Sequence, residues 1–592
     1  MSAVMLLRDP DPARRRRGLA AADAALRRMG FEPSSIEHGA VGLAWGTYPG
    51  APVQQAPGVF VLGDVIPGPG PERLDARGYA ERCAGAATPP VFDGLYLAVT
   101  FDERGAFTLA VDLLGNFPIY SAVLGERVFA ASSPALITAQ EGFHAELDPL
   151  GLTAVMVTNG PFRGRTPLRG VRRLAPGHAL TAAPGEAPRE ALQYAVPVSD
   201  ESHDVPAEEC AQRVHEALVL AAKRHVPAAT PHSMLLSGGL DSRLITGVLV
   251  RQGVPVEAIT RGHPTDLEYR CAHGVARHLG IPHRLVPHAD GTFEHFERAL
   301  WWEGMDSARA SGGSGGLAEA LRHARPFVVS GYMADSVFGA VTAGKAFDRT
   351  ARRSSADWFI GRLNVWGVSL DVLPRLMRRD AFGDSLTQTL DELRGDFMKT
   401  SDTWMRRAWL FDLAHRQRFI MGRVFARIAE RAWPRAPQLD REVLRVSAGV
   451  PMPLIGKKRL ERDVLERFHA GLARVPLDRN DPDTTPLLPG AMDLIRAGLD
   501  RRIRRFRERI GLPRPEQRYY HRTFDFNGAT WRRTRLGAGA DRERLYALFD
   551  REVLDGYLPA AGAPWQPTGL IEGAAGVKML TALGVWMRVG LD

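Results

Sequence analysis

The sequence predicts a mixed α/β and α+β protein: a β-rich sandwich at the N-terminus, a doubly wound parallel sheet, then a helical C-terminal part. Three observations carry this. Over the first 185 residues short apolar runs alternate with turn residues, as the strands of a sandwich do. From Ser233 onward short apolar strands alternate with helical patterns, which signals a parallel sheet. Beyond residue 355 the apolar spacing is mostly helical until a basic and aromatic C-terminal region.

The elements follow in order. Leu95 to Thr100 and Phe107 to Val111 read as strands joined by the turn Asp102-Glu103-Arg104-Gly105. A second turn, Leu114-Gly115-Asn116-Phe117-Pro118, leads into Ile119-Tyr120 and then Arg127-Val128-Phe129-Ala130. Pro176-Gly177-His178 punctuates the end of this region, and the polar stretch from Val196 to Pro206 marks a boundary. The expected domains are 1–200, 201–355 and 356–592. Cys210 to His225 is a helix introducing the strand at Ser233. Val256 to Thr260, His283 to Val286 and Phe327-Val328-Val329 are further strands, and Leu267 to Leu279 is a helix.

At 592 residues the chain exceeds one core, and its 45% hydrophobic and 24% charged content is that of globular proteins. Cys83, Cys210 and Cys271 offer neither a disulfide framework nor metal-ligand spacing. The first twenty residues lack the apolar core of a secretion signal, and no 18-residue apolar run stands out. A cytoplasmic protein without a membrane partner is the expectation. The net charge of +9 is spread widely. Arg14-Arg15-Arg16-Arg17 and the cluster from Arg501 to Arg509 read as solvated helix surface, so nucleic acid is not an expected partner.

The chemistry concentrates in Ser237-Gly238-Gly239-Leu240-Asp241-Ser242, between the apolar run Met234-Leu235-Leu236 and the periodic segment from Leu244 to Val250. A glycine loop between strand and helix presents backbone N–H groups to an anion, and the serine hydroxyls add donors. Asp241 repels phosphate unless a cation stands between them, so the pattern suggests a nucleotide or pyrophosphate held with Mg²⁺. The lysine and longer glycine spacing of a P-loop are missing. Ser330-Gly331-Tyr332-Met333-Ala334-Asp335 is a second strand feeding an acidic loop. In an open parallel sheet both loops fall at the carboxyl edge, where ligands bind. Either aspartate alternatively serves as a helix N-cap.

The 237–242 loop resembles the pyrophosphate loop of N-type ATP pyrophosphatases. An ordered set of motifs extends the resemblance to the asparagine synthetase superfamily: Thr260-Arg261-Gly262 with Asp266-Leu267-Glu268 and Ala272, the run from Gly331 to Gly339, and Pro437-Gln438-Leu439-Asp440. The N-terminal region resembles the family's class II glutaminase domain, of Ntn-hydrolase type, through Asp93-Gly94, Asp112-Leu113-Leu114-Gly115, Phe129-Ala130-Ala131-Ser132 and Pro176-Gly177-His178. The family's glutaminase uses an N-terminal cysteine, but here Ser2 follows Met1 and no cysteine precedes Cys83. The expectation is a degenerate glutaminase domain, as in β-lactam synthetase or lasso-peptide cyclases.

The resemblance implies an ATP- and Mg²⁺-dependent ligase or cyclase that adenylates a carboxylate, releases pyrophosphate and passes the acyl group to an amine. Ser237, Gly238, Gly239, Leu240, Ser242, Thr260 and Gly331 would bind nucleotide, with Asp241 and Asp335 as metal carboxylates. Lys457, Lys458, Arg479 and Glu268 are the candidates for the chemical steps. Two departures stand out: Ser336 replaces a usual acid, and Asn480 occupies the neighbourhood of a catalytic lysine. Implied partners are a small-molecule or peptide carboxylate and an amine acceptor, with a second copy or a biosynthetic partner protein left open. The alternatives are a glutamine-hydrolysing asparagine synthetase and an inactive binding or scaffold homologue.

Overall fold

The computed structural model describes residues 2–86, 88–198, 205–288, 291–306, 314–339, 356–401, 404–518, 525–565 and 571–592. Part of the polar boundary stretch at 196–206 lies outside the described residues. In the first region the strands run β1 (Ala3–Arg8), β2 (Glu32–His38), β3 (Val41–Thr47), β4 (Val53–Ala56), β5 (Val59–Gly63), β6 (Tyr96–Phe101), β7 (Phe107–Val111), β8 (Tyr120–Leu124), β9 (Arg127–Ala131), β10 (Arg172–Arg173), β11 (His178–Ala182) and β12 (Arg189–Leu192). They form two antiparallel sheets, ordered β10-β8-β9-β1-β3-β2 and β12-β11-β7-β6-β5-β4.

Alternation along β1 explains the layering. Val4 and Leu6 share a buried cluster with Phe60, Leu62, Leu97 and Val99 of the opposite sheet. Met5 and Leu7 face the other way and join Leu19, Ala22 and Leu26 of the helix Pro12–Arg28. Asp11 caps that helix by accepting the N–H groups of Ala13 and Arg14. The arginine run is largely ion-paired: Arg14 to Asp9 at 2.6 Å, Arg15 to Glu37 at 3.1 Å and Arg17 to Glu141 at 3.0 Å.

The second region holds β13 (His232–Leu235), β14 (Val256–Gly262), β15 (His283–Pro287), β16 (Phe327–Ser330) and β17 (Trp433–Arg435). All are parallel, in the order β15-β14-β13-β16-β17. The order reverses between β13 and β16, which makes their carboxyl ends a topological switch point. The sheet draws its fifth strand from beyond residue 355. That strand has three residues and a central proline, tolerated because it lies at the edge.

The sandwich docks on this edge. Trp433 donates its indole N–H to the Leu95 carbonyl at 3.2 Å and stacks on Phe117. Asp440 caps the helix Arg441–Ala448 and binds Arg224 and His225 at the end of the helix Ala207–His225. Asp93, His225 and Asp440 bring ligand atoms within 4.8 Å of one another, but Arg224 and Arg441 supply counter-charge at 3.8 and 3.5 Å from Asp93. The sequence suggested no membrane-length apolar run, yet the segment Ala574–Leu591 is long and apolar enough by length and composition. Two thirds of it is buried inside the protein, with Leu580 and Leu583 in the core, so its apolarity is that of a core helix.

Candidate functional site

The 237–242 loop leaves β13 and enters the helix Leu240–Arg251 at its N-terminus. Gly238 has φ +74°, and a side chain there would run into the backbone N of Ala272 at 2.6 Å. The glycine is thus required both by conformation and by the approach of the helix Leu267–Leu279. Ser242 Oγ accepts the Ser237 N–H at 3.1 Å and lies 3.1 Å from Ser237 Oγ, which closes the loop on itself. Arg243, fully buried, donates to the carbonyls of Gly238 (3.0 Å), Leu472 (2.9 Å), Val475 (2.8 Å) and Pro476 (2.5 Å). Burial lowers its pKa to about 10. The Asp478 N–H also donates to the Gly238 carbonyl, at 3.2 Å, so the 472–478 segment is fixed against the loop.

The second acidic loop meets the first. A side chain on Gly331 would contact the Ser242 N at 2.9 Å, so only a residue without one lets the two backbones touch. Met333, at φ +70°, turns the chain into the short helix Ala334–Val337, where Asp335 lies in the first turn. Ser237, Asp241, Ser242, Thr260, Glu268, Gly331 and Asp335 line one cavity of about 240 Å³, together with Arg261 and Met421. Thr260 is held there by donating Oγ1–H to the Leu236 carbonyl at 2.6 Å. Leu240 is not part of that lining and sits in the core.

Lys458 reaches the cluster. Its ammonium lies 2.9 Å from both oxygens of Asp241 and 3.9 Å from Glu461. Burial works against this ammonium, but Asp241, Glu461 and Asp335 together hold its pKa above the usual lysine value. Burial, with Lys458 opposing and Asp241 adding, raises Asp335. Burial and then Asp241 push Glu461 well above the carboxylate range. Neither oxygen of buried Glu461 meets a hydrogen-bond donor. Three carboxyl groups thus gather around one ammonium, an acidic cluster whose oxygen ligands suit a divalent cation.

Other expected residues are placed differently. Lys457 is exposed and in the left-handed region, at φ +57°. Arg479 donates to the carbonyls of Thr485 and Pro486, which ties down its own loop. Asn480, at φ +63°, accepts from Arg518, which also pairs with Asp478 at 2.8 Å. Ser336 is buried, and its carbonyl accepts the Trp409 indole N–H at 2.6 Å. Glu268 sits half-buried in the cavity wall. Burial first and Asp478 second push its carboxyl up to about 8, with Arg261 and Arg518 opposing.

Two participants were missed. Glu461 follows Lys458 by three residues, a helical spacing that signals a shared face. Arg518 has no local signal. It arrives because Gln517 bridges Asp266 and accepts the Leu267 N–H at 3.0 Å. At the other end of the chain, Ser2 is buried and its hydroxyl donates to the Ala429 carbonyl.

Residues 213–476 match the asparagine synthase family and residues 79–194 match the glutamine amidotransferase domain family. Among curated proteins, amidase chyE of Penicillium rubens is 30% identical over 205 residues, covering 31% of this chain and 30% of the relative. Amidase chry2 of Gibberella zeae is 28% identical over 200 residues, covering 30% of each. The chain therefore spans under a third of the length of these relatives. Of solved structures, a glutamine phosphoribosylpyrophosphate amidotransferase from B. subtilis, complexed with ADP and GMP, matches at 11% identity and TM-score 0.22. That match covers 48% of this chain and 65% of the other. An allosteric regulatory enzyme of purine biosynthesis matches at 10% identity and TM-score 0.23, covering 58% and 76%. With both family regions matched in order, on the antiparallel sandwich and on the parallel sheet, the chain has the architecture of a class II glutamine-amidotransferase-like domain followed by an asparagine-synthase-like domain.

Proposed function

We propose that the protein is an ATP-dependent carbon–nitrogen ligase that activates a carboxylate as its acyl-adenylate and transfers the acyl group to an amine. One observation carries the reading. The 237–242 loop and the Gly331–Asp335 turn meet at the sheet's switch point in one carboxylate-lined cavity. Asp241, Asp335 and Glu461 would hold Mg²⁺, which supplies charge neutralisation on the phosphoryl oxygens.

The protein's own residues perform the rest. The loop N–H groups and the hydroxyls of Ser237 and Ser242 bind the departing pyrophosphate, and Lys458 adds a positive charge beside Asp241. The substrate carboxylate forms an O–P bond at the α-phosphorus as the α–β bridging bond breaks. The amine then forms the C–N bond, and AMP leaves with the acyl C–O electron pair. Glu268, with its pKa raised to about 8, is placed to take the amine proton.

The amine belongs to the substrate in this reading, because the Ser2 hydroxyl is buried on a carbonyl rather than beside a base. The three free cysteines suit a reducing cytoplasm. The test is a screen of carboxylates and amines for pyrophosphate and AMP release, with wild type beside Asp241→Asn. Substrate-dependent AMP formation lost in the variant supports the ligase. Robust ATP-coupled release of glutamate from glutamine would favour a glutamine-hydrolysing synthetase instead. Absence of any nucleotide binding would favour a scaffold.

A further inference from the structure

A second cavity, of about 670 Å³, lies where the sandwich meets the helical region. Its wall is mostly apolar and includes Leu113, Phe162, Leu192, Val196, Phe411 and Phe419. Two arginines in that wall are anomalous. Arg173 and Arg418 are both buried. Arg173 Nη2 and Arg418 Nε donate to the same acceptor, the Gly115 carbonyl, at 3.1 and 2.9 Å. Those two nitrogens are thus no more than about 6 Å apart, the sum of the two distances. Both guanidiniums also flank the Phe419 ring, at 5.9 and 5.2 Å from its centroid.

Among the described residues neither arginine makes an ion pair, and their other hydrogen bonds go to the carbonyls of Ile119 and Leu174. Asp112 and Asp306 act on Arg418 and Arg173 through space, but the nearby acids take their hydrogen bonds and ion pairs from other groups. Asp112 accepts from Asn116 and Phe117, and Asp306 from Arg423 and Tyr120. Asp396 pairs with Arg163 at 2.6 Å, and exposed Glu190 accepts the Ala175 N–H at 3.2 Å. Buried Arg173 Nε has no partner at all, and the Tyr194 hydroxyl in the same wall has none either. His415 is kept neutral by burial, with a pKa near 3, and adds no charge. Two desolvated like charges close together in an apolar wall call for an anion.

We propose that this cavity is a binding site for an amphipathic carboxylate, whose aliphatic or aromatic body fills the apolar wall while its carboxylate bridges Arg173 and Arg418. Arginine forks suit a carboxylate better than a point cation does, and the volume is that of a pocket for a small organic ligand. The site is distinct from the nucleotide cavity but adjoins it along the chain. Arg418 faces one and Met421 the other, both on the π-helical segment Leu413–Gly422. Such π segments recur at functional sites.

The experiment uses the full chain, without ATP, so its outcome is separate from that of the ligase reading. Titration calorimetry compares 6-phenylhexanoate with its neutral isostere, 6-phenylhexanamide. The acid is expected to bind at least about tenfold more tightly, the effect of charge-assisted hydrogen bonds. Arg418→Met is expected to erase that difference. Because Arg418 also pins the Gly115 and Leu174 carbonyls, a second variant carries the test if this one does not fold. Ala414→Trp fills the cavity from a half-buried position and is expected to weaken the acid at least tenfold, with the melting temperature and ATP-analogue binding kept as controls. Equal affinity for acid and amide, no saturable binding of either, or wild-type affinity in folded Ala414→Trp would each overturn the proposal.

Discussion

Gly238→Ala is the sharpest probe of the nucleotide loop, because its cost can be worked from two separable terms. The first is conformational: an L-residue at φ +74° costs about 1–2 kcal/mol. The second is steric. The new Cβ would stand 2.6 Å from the Ala272 N and 2.7 Å from the Cys271 Cβ, both in the helix Leu267–Leu279. Relieving that overlap moves the loop or the helix by about 1 Å, an overpacking cost of about 1–3 kcal/mol. Gly253→Ala isolates the first term, because Gly253 has φ +73° and nothing within 4 Å of its added Cβ. The expected loss of stability in urea is thus about 1–2 kcal/mol for Gly253→Ala and about 2–5 kcal/mol for Gly238→Ala. A displacement near 1 Å at a positioning loop also costs about 10²-fold in function. MgATP binding by calorimetry should therefore collapse in Gly238→Ala and survive in Gly253→Ala. Equal stabilities and equal nucleotide affinities in the two variants would refute the reasoning.

Asp241→Asn is expected to keep the fold, since the side chain is about a quarter exposed, and to weaken Mg²⁺-dependent nucleotide binding at least tenfold. An Mg²⁺ titration of a fluorescent ATP analogue reads this. Glu268 is protonated in the fold until about pH 8 but ionises near 4.5 when unfolded, so its burial makes stability fall as pH rises across that window. Glu268→Gln should therefore flatten the melting temperature between those pH values. With a working substrate pair, amine capture should rise through about pH 8 in wild type and lose that rise, with about 10²-fold lower rate, in Glu268→Gln. The purified chain should release no glutamate from glutamine with or without ATP, measured by coupled assay, because the Ser2 hydroxyl is tied to Ala429.

What was legible in the sequence was what is local. Strands β13 to β16 and the helix Leu267–Leu279 announce themselves by apolar runs bounded by turn residues, and the structure places them within a few residues. The 237–242 loop is readable because its glycines, serines and aspartate act on one another within six residues. β17 was not readable, since three residues with a proline carry no periodicity and pair only because β16 offers a free edge. Lys458 and Lys457 look alike in sequence. Only the turn that gives both φ +57° sends one ammonium to Asp241 and leaves the other exposed. Arg518, Arg173 and Arg418 were invisible for the same reason: their partners are backbone or side-chain groups that tertiary contacts bring near. The apolar C-terminal helix shows the reverse limit, because composition alone does not tell a core from a bilayer.

Arg243 has a consequence for how the protein comes into being. Its guanidinium completes the 237–242 loop by gripping carbonyls up to 233 residues further along. At ordinary elongation rates of about 5–20 residues per second, the ribosome takes about 10–50 s to supply them. Throughout that interval the loop's own residues exist but its clasp does not. A nascent chain with a finished sandwich and all five strands of the sheet still lacks the carbonyls that hold this loop. The loop's final geometry arrives late, when the 472–476 stretch clears the exit tunnel and the arginine finds its carbonyls.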